Sequence, residues 1–133
     1  SFSDAYPFLL IGQSSLDDLN GKLSESLPMN RFRPNIVFTG GEPYQEDTMH
    51  TFTIGDITFH GVKLCARCVM TTIDQENGIS GKEPLKALAL YRLKNKKIMF
   101  GQNLAHEGLG EIKIGDELTV IKLNHEERFL VGV

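Results

Sequence analysis

The stretch HTFTIGDITFHGVKL, residues 50 to 64, decides which fold class this chain can adopt. Polar and apolar residues alternate from His50 to Ile54, as they do on a strand with one buried face. Gly55 and Asp56 suit a tight two-residue turn, and a second strand-like run follows at 57–64. The stretch therefore predicts a β-hairpin, which is the unit that builds antiparallel sheets.

On both sides of the hairpin, short apolar or β-branched runs separated by turn residues predict more strands. These strands are predicted at 7–12, 35–39, 69–73 and 96–100, with a second hairpin at 112–114 and 118–121. Helices are predicted from about 15 to 26 and from 84 to about 94. The tail at 124–133 is read as an edge strand or the start of a linker. About seven strands and two helices favour an antiparallel barrel or sandwich.

Length and composition suit one ordinary domain. The chain has 133 residues, 41% of them apolar, a net charge of −3 and a pI of about 5.8. Nothing in this balance predicts a nucleic-acid partner or a membrane partner, and no run approaches the ~20 apolar residues of a membrane span. Two cysteines and no signal peptide favour a cytoplasmic location. Because no initiator Met is present, we expect a fragment of a longer protein.

Both cysteines lie in one C-x-x-C motif, Cys65 and Cys68. A structural zinc site needs four ligands, and the four histidines form no pair at the usual spacing. Redox exchange needs a helix N-terminus beside the motif, whereas a strand is predicted after it. Two buried thiols, or one thiolate on a soft metal, also fit the pattern. Composition alone leaves these alternatives open.

Four segments resemble the MOSC domain, the C-terminal domain of molybdenum cofactor sulfurases, and cover most of the chain. They are YPFLLIGQSSLDDLN (6–20), MNRFRPNIVFTGGEPYQED (29–47), CARCVMTTIDQENGISGKEPLKALALYR (65–92) and FGQN (100–103). The closest branch contains the mitochondrial amidoxime-reducing component and its bacterial relatives. The resemblance implies one MOSC domain over 1–133, a mostly antiparallel β-barrel with about two flanking α-helices.

The resemblance also implies a ligand, the molybdenum cofactor in its molybdopterin form. In this branch the second cysteine of the motif ligates molybdenum, which assigns Cys68 as the metal ligand and catalytic residue. Cys65 would then be structural, or a neighbouring thiol that tunes the site. Arg33 matches a cofactor-contacting position, and a guanidinium suits the cofactor's phosphate. Asn35 would contact the pterin or hold the loop.

Six further cofactor contacts follow from the resemblance: Asp4, Ala5, Tyr6, Ala66, Arg67 and Asn103. The first three would act through main chain, because two of them replace small hydroxyl residues of the family. The pair between the cysteines should border the metal. Asn103 stands where relatives can carry tyrosine, which departs from the family pattern. The acidic loop with Glu42, Tyr44, Glu46 and Asp47 is predicted to be a solvated turn.

Three functions follow as expectations. The first is an oxidoreductase that reduces N-hydroxylated compounds, supplied by an electron-donor protein or a fused iron-sulfur domain. The second is a non-catalytic carrier that helps sulfuration of the cofactor. The third is a thiol or zinc module. The resemblance implies that an N-terminal β-barrel domain, and in some relatives a C-terminal iron-sulfur domain, is missing from this chain.

Overall fold

A computed structural model describes residues 8–108 and 110–123. Within these ranges there are seven strands, two α-helices and three short 3₁₀ helices. The strands are β1 (Phe8–Gly12), β2 (Ile36–Phe38), β3 (Met49–Ile54), β4 (Ile57–Arg67), β5 (Leu93–Lys94), β6 (Lys97–Glu107) and β7 (Leu118–Leu123). The α-helices are α1 (Gln13–Asn20) and α2 (Leu85–Ala89), and the 3₁₀ helices are Met29–Phe32, Gln45–Thr48 and Val69–Thr72.

All seven strands form one curled sheet in the order β2-β1-β6-β4-β3-β7, with β5 paired to β6. The predicted hairpin is present as β3 and β4, with Ile54 opposite Ile57. The sheet curls into a half-barrel, so the predicted mostly β fold with two helices is confirmed. One pairing departs from the antiparallel expectation, because β1 and β2 run parallel.

The two faces of the sheet bury separate clusters of apolar side chains. One cluster, with Phe32 and Phe100, packs beneath the helices, and the other contains Phe52, Phe59 and Leu104. Residues 100 and 104 should share a face on a regular strand, yet they belong to different clusters. Gly101 lies between them with a φ of +96°, a conformation that suits glycine and lets β6 change faces.

Several predicted boundaries were wrong for local reasons. The first helix ends at Asn20, because its side chain hydrogen-bonds both the N–H and the carbonyl of Leu27 and closes a loop. The strand predicted at 69–73 is a 3₁₀ helix, in which threonine hydroxyls bond nearby carbonyls. The hairpin predicted at 112–114 and 118–121 does not form, since 112–114 is not a strand and β7 pairs with β3. The predictions at 124–133 lie outside the described residues.

The acidic loop is buried, so its prediction as a solvated turn was wrong. Arg92 donates both terminal nitrogens to Asp47 at 2.7 and 2.9 Å, and both side chains are buried. Glu46 accepts hydrogen bonds from the N–H of Gly12 and the hydroxyl of Ser15. Burial raises the pKa of the Glu46 carboxyl. Glu42 is the member of the loop that remains exposed.

The same loop places Tyr44 against the buried arginine. The guanidinium carbon of Arg92 lies 4.4 Å from the centre of the Tyr44 ring. The Tyr44 hydroxyl bonds the hydroxyl of Tyr91 and donates to Asp18 at 2.9 Å. Burial raises the pKa of Tyr44, so the phenol keeps its proton and can donate. No helix in the described ranges is long and apolar enough to cross a membrane.

Replacing the buried guanidinium should destabilise the fold strongly. Arg92→Met leaves the Asp47 carboxylate buried without a partner, which should cost about 3–5 kcal/mol of unfolding free energy in urea titrations. Lys22→Met is the matched control, because Lys22 pairs with Asp18 at the surface and its loss should cost at most about 1 kcal/mol. Equal losses would contradict this account. If Arg92→Met does not fold, adding Asp47→Leu should recover folding.

Candidate functional site

Cys68 occupies an exposed position directly after the long strand β4. Its backbone is extended, with φ −133° and ψ −174°, and it begins the 3₁₀ helix Val69–Thr72. The carbonyl of Cys68 accepts hydrogen bonds from the N–H and the hydroxyl of Thr71, at 3.1 and 2.9 Å. These bonds fix the backbone and leave the thiol facing solvent.

Cys65 differs from Cys68 in both burial and partners. It is half-buried and packs against the apolar cluster beneath the helices. Its sulfur accepts a hydrogen bond from Nη1 of Arg67 at 3.2 Å. The two thiols therefore differ: Cys65 is half-buried and hydrogen-bonded by Arg67, whereas Cys68 is exposed.

The backbone geometry disfavours a disulfide within the motif. The chain is extended from Cys65 to Cys68, and three residues of strand span about 10 Å. A disulfide requires Cα atoms within about 7 Å of each other. Zinc also lacks support, because no group of three His, Cys, Asp or Glu among the described residues could hold a metal ion. His125 lies outside them.

Arg67 connects the cysteine motif to the loop that carries Arg33. Its Nη2 donates to the carbonyl of Phe32, and its guanidinium carbon lies 5.5 Å from the Phe32 ring centre. Its Nε is buried without a hydrogen-bond acceptor in the part of the chain that the structure describes. This hydrogen bond therefore joins Phe32, the neighbour of Arg33, to Arg67, the neighbour of Cys68.

Arg33 is exposed and ends the 3₁₀ helix Met29–Phe32 in the left-handed conformation, with φ 54° and ψ 48°. This conformation is uncommon for a residue other than glycine and marks a constrained loop. Within residues 8–108 and 110–123, the guanidinium forms no hydrogen bond or ion pair. Among the described residues, no side chain or backbone group competes with an anion for this guanidinium.

Asn35 has a structural partner, and Asn103 lies within the sheet. The Asn35 side chain accepts the N–H of Leu9 at 2.8 Å, which supports the loop-holding alternative. Asn103 lies opposite Leu9 and Lys63 on neighbouring strands. It is four residues along β6 from Met99, the partner of Ala66. Asp4, Ala5 and Tyr6 lie outside the described residues, and their contacts stay predictions.

Arg31 is a candidate site residue that the sequence reasoning missed. It donates to the carbonyl of Thr71 at 3.4 Å and lies 3.8 Å from a carboxylate oxygen of Asp74. With Thr72 and Asp74 it lines a cleft of about 320 Å³ beside the motif. Its position two residues before Arg33 was the available signal. Its partners lie about 40 residues further along the chain, where spacing gives no guide.

The two thiols should react at different rates. In the cofactor-free protein, Cys68 should react with an aromatic disulfide reagent at least about tenfold faster than Cys65. Cys65→Ser should keep the fast phase, and Cys68→Ser should keep the slow one. Mild oxidation with diamide should leave the two cysteines unlinked. A decrease of two hydrogens in the intact mass, with both thiols consumed within one chain, would contradict the extended geometry.

Comparison with known proteins agrees with this arrangement of motifs. The family model described as the MOSC domain matches residues 1–119. Human mitochondrial amidoxime-reducing component 1 is 39% identical over 130 residues, covering 91% of this chain and 39% of that protein. The mouse protein of the same name is 41% identical over 130 residues, covering 91% and 38%.

A second group of relatives carries a different name. The molybdenum cofactor sulfurase of Arabidopsis thaliana is 43% identical over 119 residues, covering 80% of this chain and 14% of that protein. The chain thus spans about two fifths of the amidoxime-reducing relatives and about one seventh of the sulfurase. A family match over most of the chain, together with these relatives, shows that the chain belongs to the MOSC domain family.

Proposed function

We propose that this chain is the molybdenum cofactor-binding domain of a reductase of N-hydroxylated compounds, with the Cys68 thiolate as protein ligand to molybdenum. The observation that carries the proposal is the difference between the two thiols. Cys65 is half-buried and accepts a hydrogen bond from Arg67, whereas Cys68 is exposed directly after strand β4. Cys68 can therefore serve a metal that needs one protein thiolate.

The described residues fit a cofactor that carries both a metal and a phosphate. Thiolates suit soft or high-valent metals, and the exposed sulfur of Cys68 supplies one. The exposed guanidinium of Arg33 supplies a charge-assisted fork for phosphate. The buried Nε of Arg67 is a further donor with no acceptor among the described residues. All three groups lie on segments that the Arg67–Phe32 hydrogen bond joins.

Each of these residues would have a distinct task. The bound cofactor would supply two-electron redox chemistry at molybdenum. Cys68 would hold the metal, and Arg33 would anchor the phosphate. Ala66 would border the metal with a methyl group, which leaves space beside Cys68. Arg67 would hold the end of β4 against the loop that carries Arg33, so that Cys68 and Arg33 stay at a constant separation.

The reductase function needs a substrate and an electron source. Converting an N–OH group to N–H consumes two electrons and two protons and releases water. The name of the animal relatives specifies amidoxime reduction, which supports an N-hydroxylated substrate class. Electrons would come from a donor protein or a fused iron-sulfur domain. The same name places those relatives in mitochondria, and a cytoplasmic location for this protein stays a prediction.

The alternative function is a non-catalytic cofactor carrier that takes part in sulfuration. The observation that favours it is the 43% identity to a molybdenum cofactor sulfurase. Both functions require the cofactor to bind, and they differ in turnover. A protein that holds stoichiometric molybdenum but reduces no N-hydroxylated substrate with a chemical reductant would support the carrier.

The proposal is tested with the full-length protein that contains this domain, purified from a host that makes the cofactor. Cys68→Ala should lose most of its bound molybdenum and reduce benzamidoxime at less than about 1% of the wild-type rate, since a metal ligand is removed. Cys65→Ala is the matched control and should keep the metal. Molybdenum content and reductase rate are measured on the same samples. Full metal and full activity in Cys68→Ala would refute the ligand assignment.

A further inference from the structure

Positive charge is concentrated in the two segments that surround Cys68. Segments 57–73 and 84–106 together contain seven Lys and Arg residues and no Asp or Glu. These segments therefore carry a formal charge of +7, or +6 once Arg92 is counted with its buried partner Asp47, and because the whole chain carries −3, the remainder carries −10, or −9 without Asp47. A separation of this size creates a local positive field on a protein that is acidic overall.

The strand register brings the exposed lysines to the same end of the sheet as Cys68. Ile98 on β6 pairs with Arg67 on one side and with Leu93 on the other. The β5–β6 hairpin therefore turns beside the end of β4, where Cys68 follows. Asn95 and Lys96 form this turn with φ of 51° and 65°, as in a tight two-residue hairpin. Lys96 and Lys97 are exposed there.

Apolar side chains occupy the surface between these charges. Four of them are between 46% and 86% exposed, namely Val69, Met70, Leu90 and Leu93. Two begin the 3₁₀ helix after Cys68, and helix α2, which ends beside Leu90, packs against that helix. With the exposed Lys86, Lys96 and Lys97, they form what we call the lysine-rimmed surface. An apolar centre inside a charged rim is typical of protein interfaces.

We infer that the lysine-rimmed surface docks an acidic electron-transfer protein, an inference that rests on the proposed reductase function. Charge complementarity selects the occupant, because exposed lysines on segments that contain no carboxylate attract an acidic partner and repel a basic one. The apolar centre supplies the area that is desolvated on contact. Its position beside Cys68 brings an incoming donor close to the metal that the thiolate would hold. Docking would thus deliver electrons without occupying the cleft at Arg31.

Binding is the first test, and it needs neither bound molybdenum nor turnover. The full-length protein is titrated calorimetrically with two acidic probes, a plant-type [2Fe–2S] ferredoxin and a flavodoxin. The double variant Lys96→Glu/Lys97→Glu should bind at least one probe on the order of tenfold more weakly at low salt, with a smaller salt dependence. The control is Lys122→Glu, the same lysine-to-glutamate change at a site on β7 that is away from Cys68. This variant should bind the probes with an affinity within about twofold of wild type.

Turnover is the second test, and it separates this inference from the proposed function. With the protein donor, the double variant should lose catalytic efficiency for the donor in parallel with its affinity. With reduced methyl viologen, a small cation, its rate should equal or exceed that of wild type. Equal affinity of variant and wild type for both probes would overturn the inference. A fall in the rates with both the protein donor and methyl viologen would also overturn it. So would a wild-type dimer that dissociates in the variant, because the surface would then bind a second copy of the chain. A lysine-dependent complex without any reductase activity would leave the docking surface standing and refute the proposed function.

Discussion

A buried ion pair between Arg92 and Asp47 holds the acidic loop inside the fold. A guanidinium that is fully excluded from solvent requires a charged partner and further acceptors, and it has them in Asp47 and the carbonyl of Met99. Satisfying this charge draws the acidic loop inward. Once the loop is inside, Gln102 on β6 donates to its backbone carbonyls and Glu46 receives the N–H of Gly12. One pair thereby connects β1, β6 and the segment that follows α2.

This frame explains why the two cysteines differ. Strand β4 is fixed along its length by β6, and its last residue, Arg67, is fixed by the carbonyl of Phe32. The frame uses the sulfur of Cys65 as an acceptor and leaves that of Cys68 exposed. The spacing between the thiols is set by extended backbone, so it suits one metal ligand better than a reversible disulfide. A rigid strand end is also a better support for a ligand than a mobile loop.

Local features of the sequence predicted local structure well. The hairpin around Gly55 was recoverable because alternation and turn chemistry act over a few residues. The burial of Asp47 was not, because its partner lies 45 residues away and charged loops are usually solvated. The segment after Cys68 was read as a strand from its β-branched residues, although its threonine hydroxyls bond nearby carbonyls instead. The choice of Cys68 over Cys65 came from family resemblance and stays a prediction, and the structure adds that Cys68 is the more exposed of the two.

X-ray absorption at the molybdenum edge, on full-length protein that retains the metal, would show which cysteine sulfur binds molybdenum. We expect Cys68→Ser to replace one molybdenum–sulfur bond with a shorter bond to oxygen, whereas Cys65→Ser should leave the wild-type spectrum unchanged. This readout reports ligation itself and does not depend on substrate or electron donor. An unchanged sulfur shell in Cys68→Ser, or a sulfur shell diminished by one atom in Cys65→Ser, would contradict the assignment of the exposed thiolate.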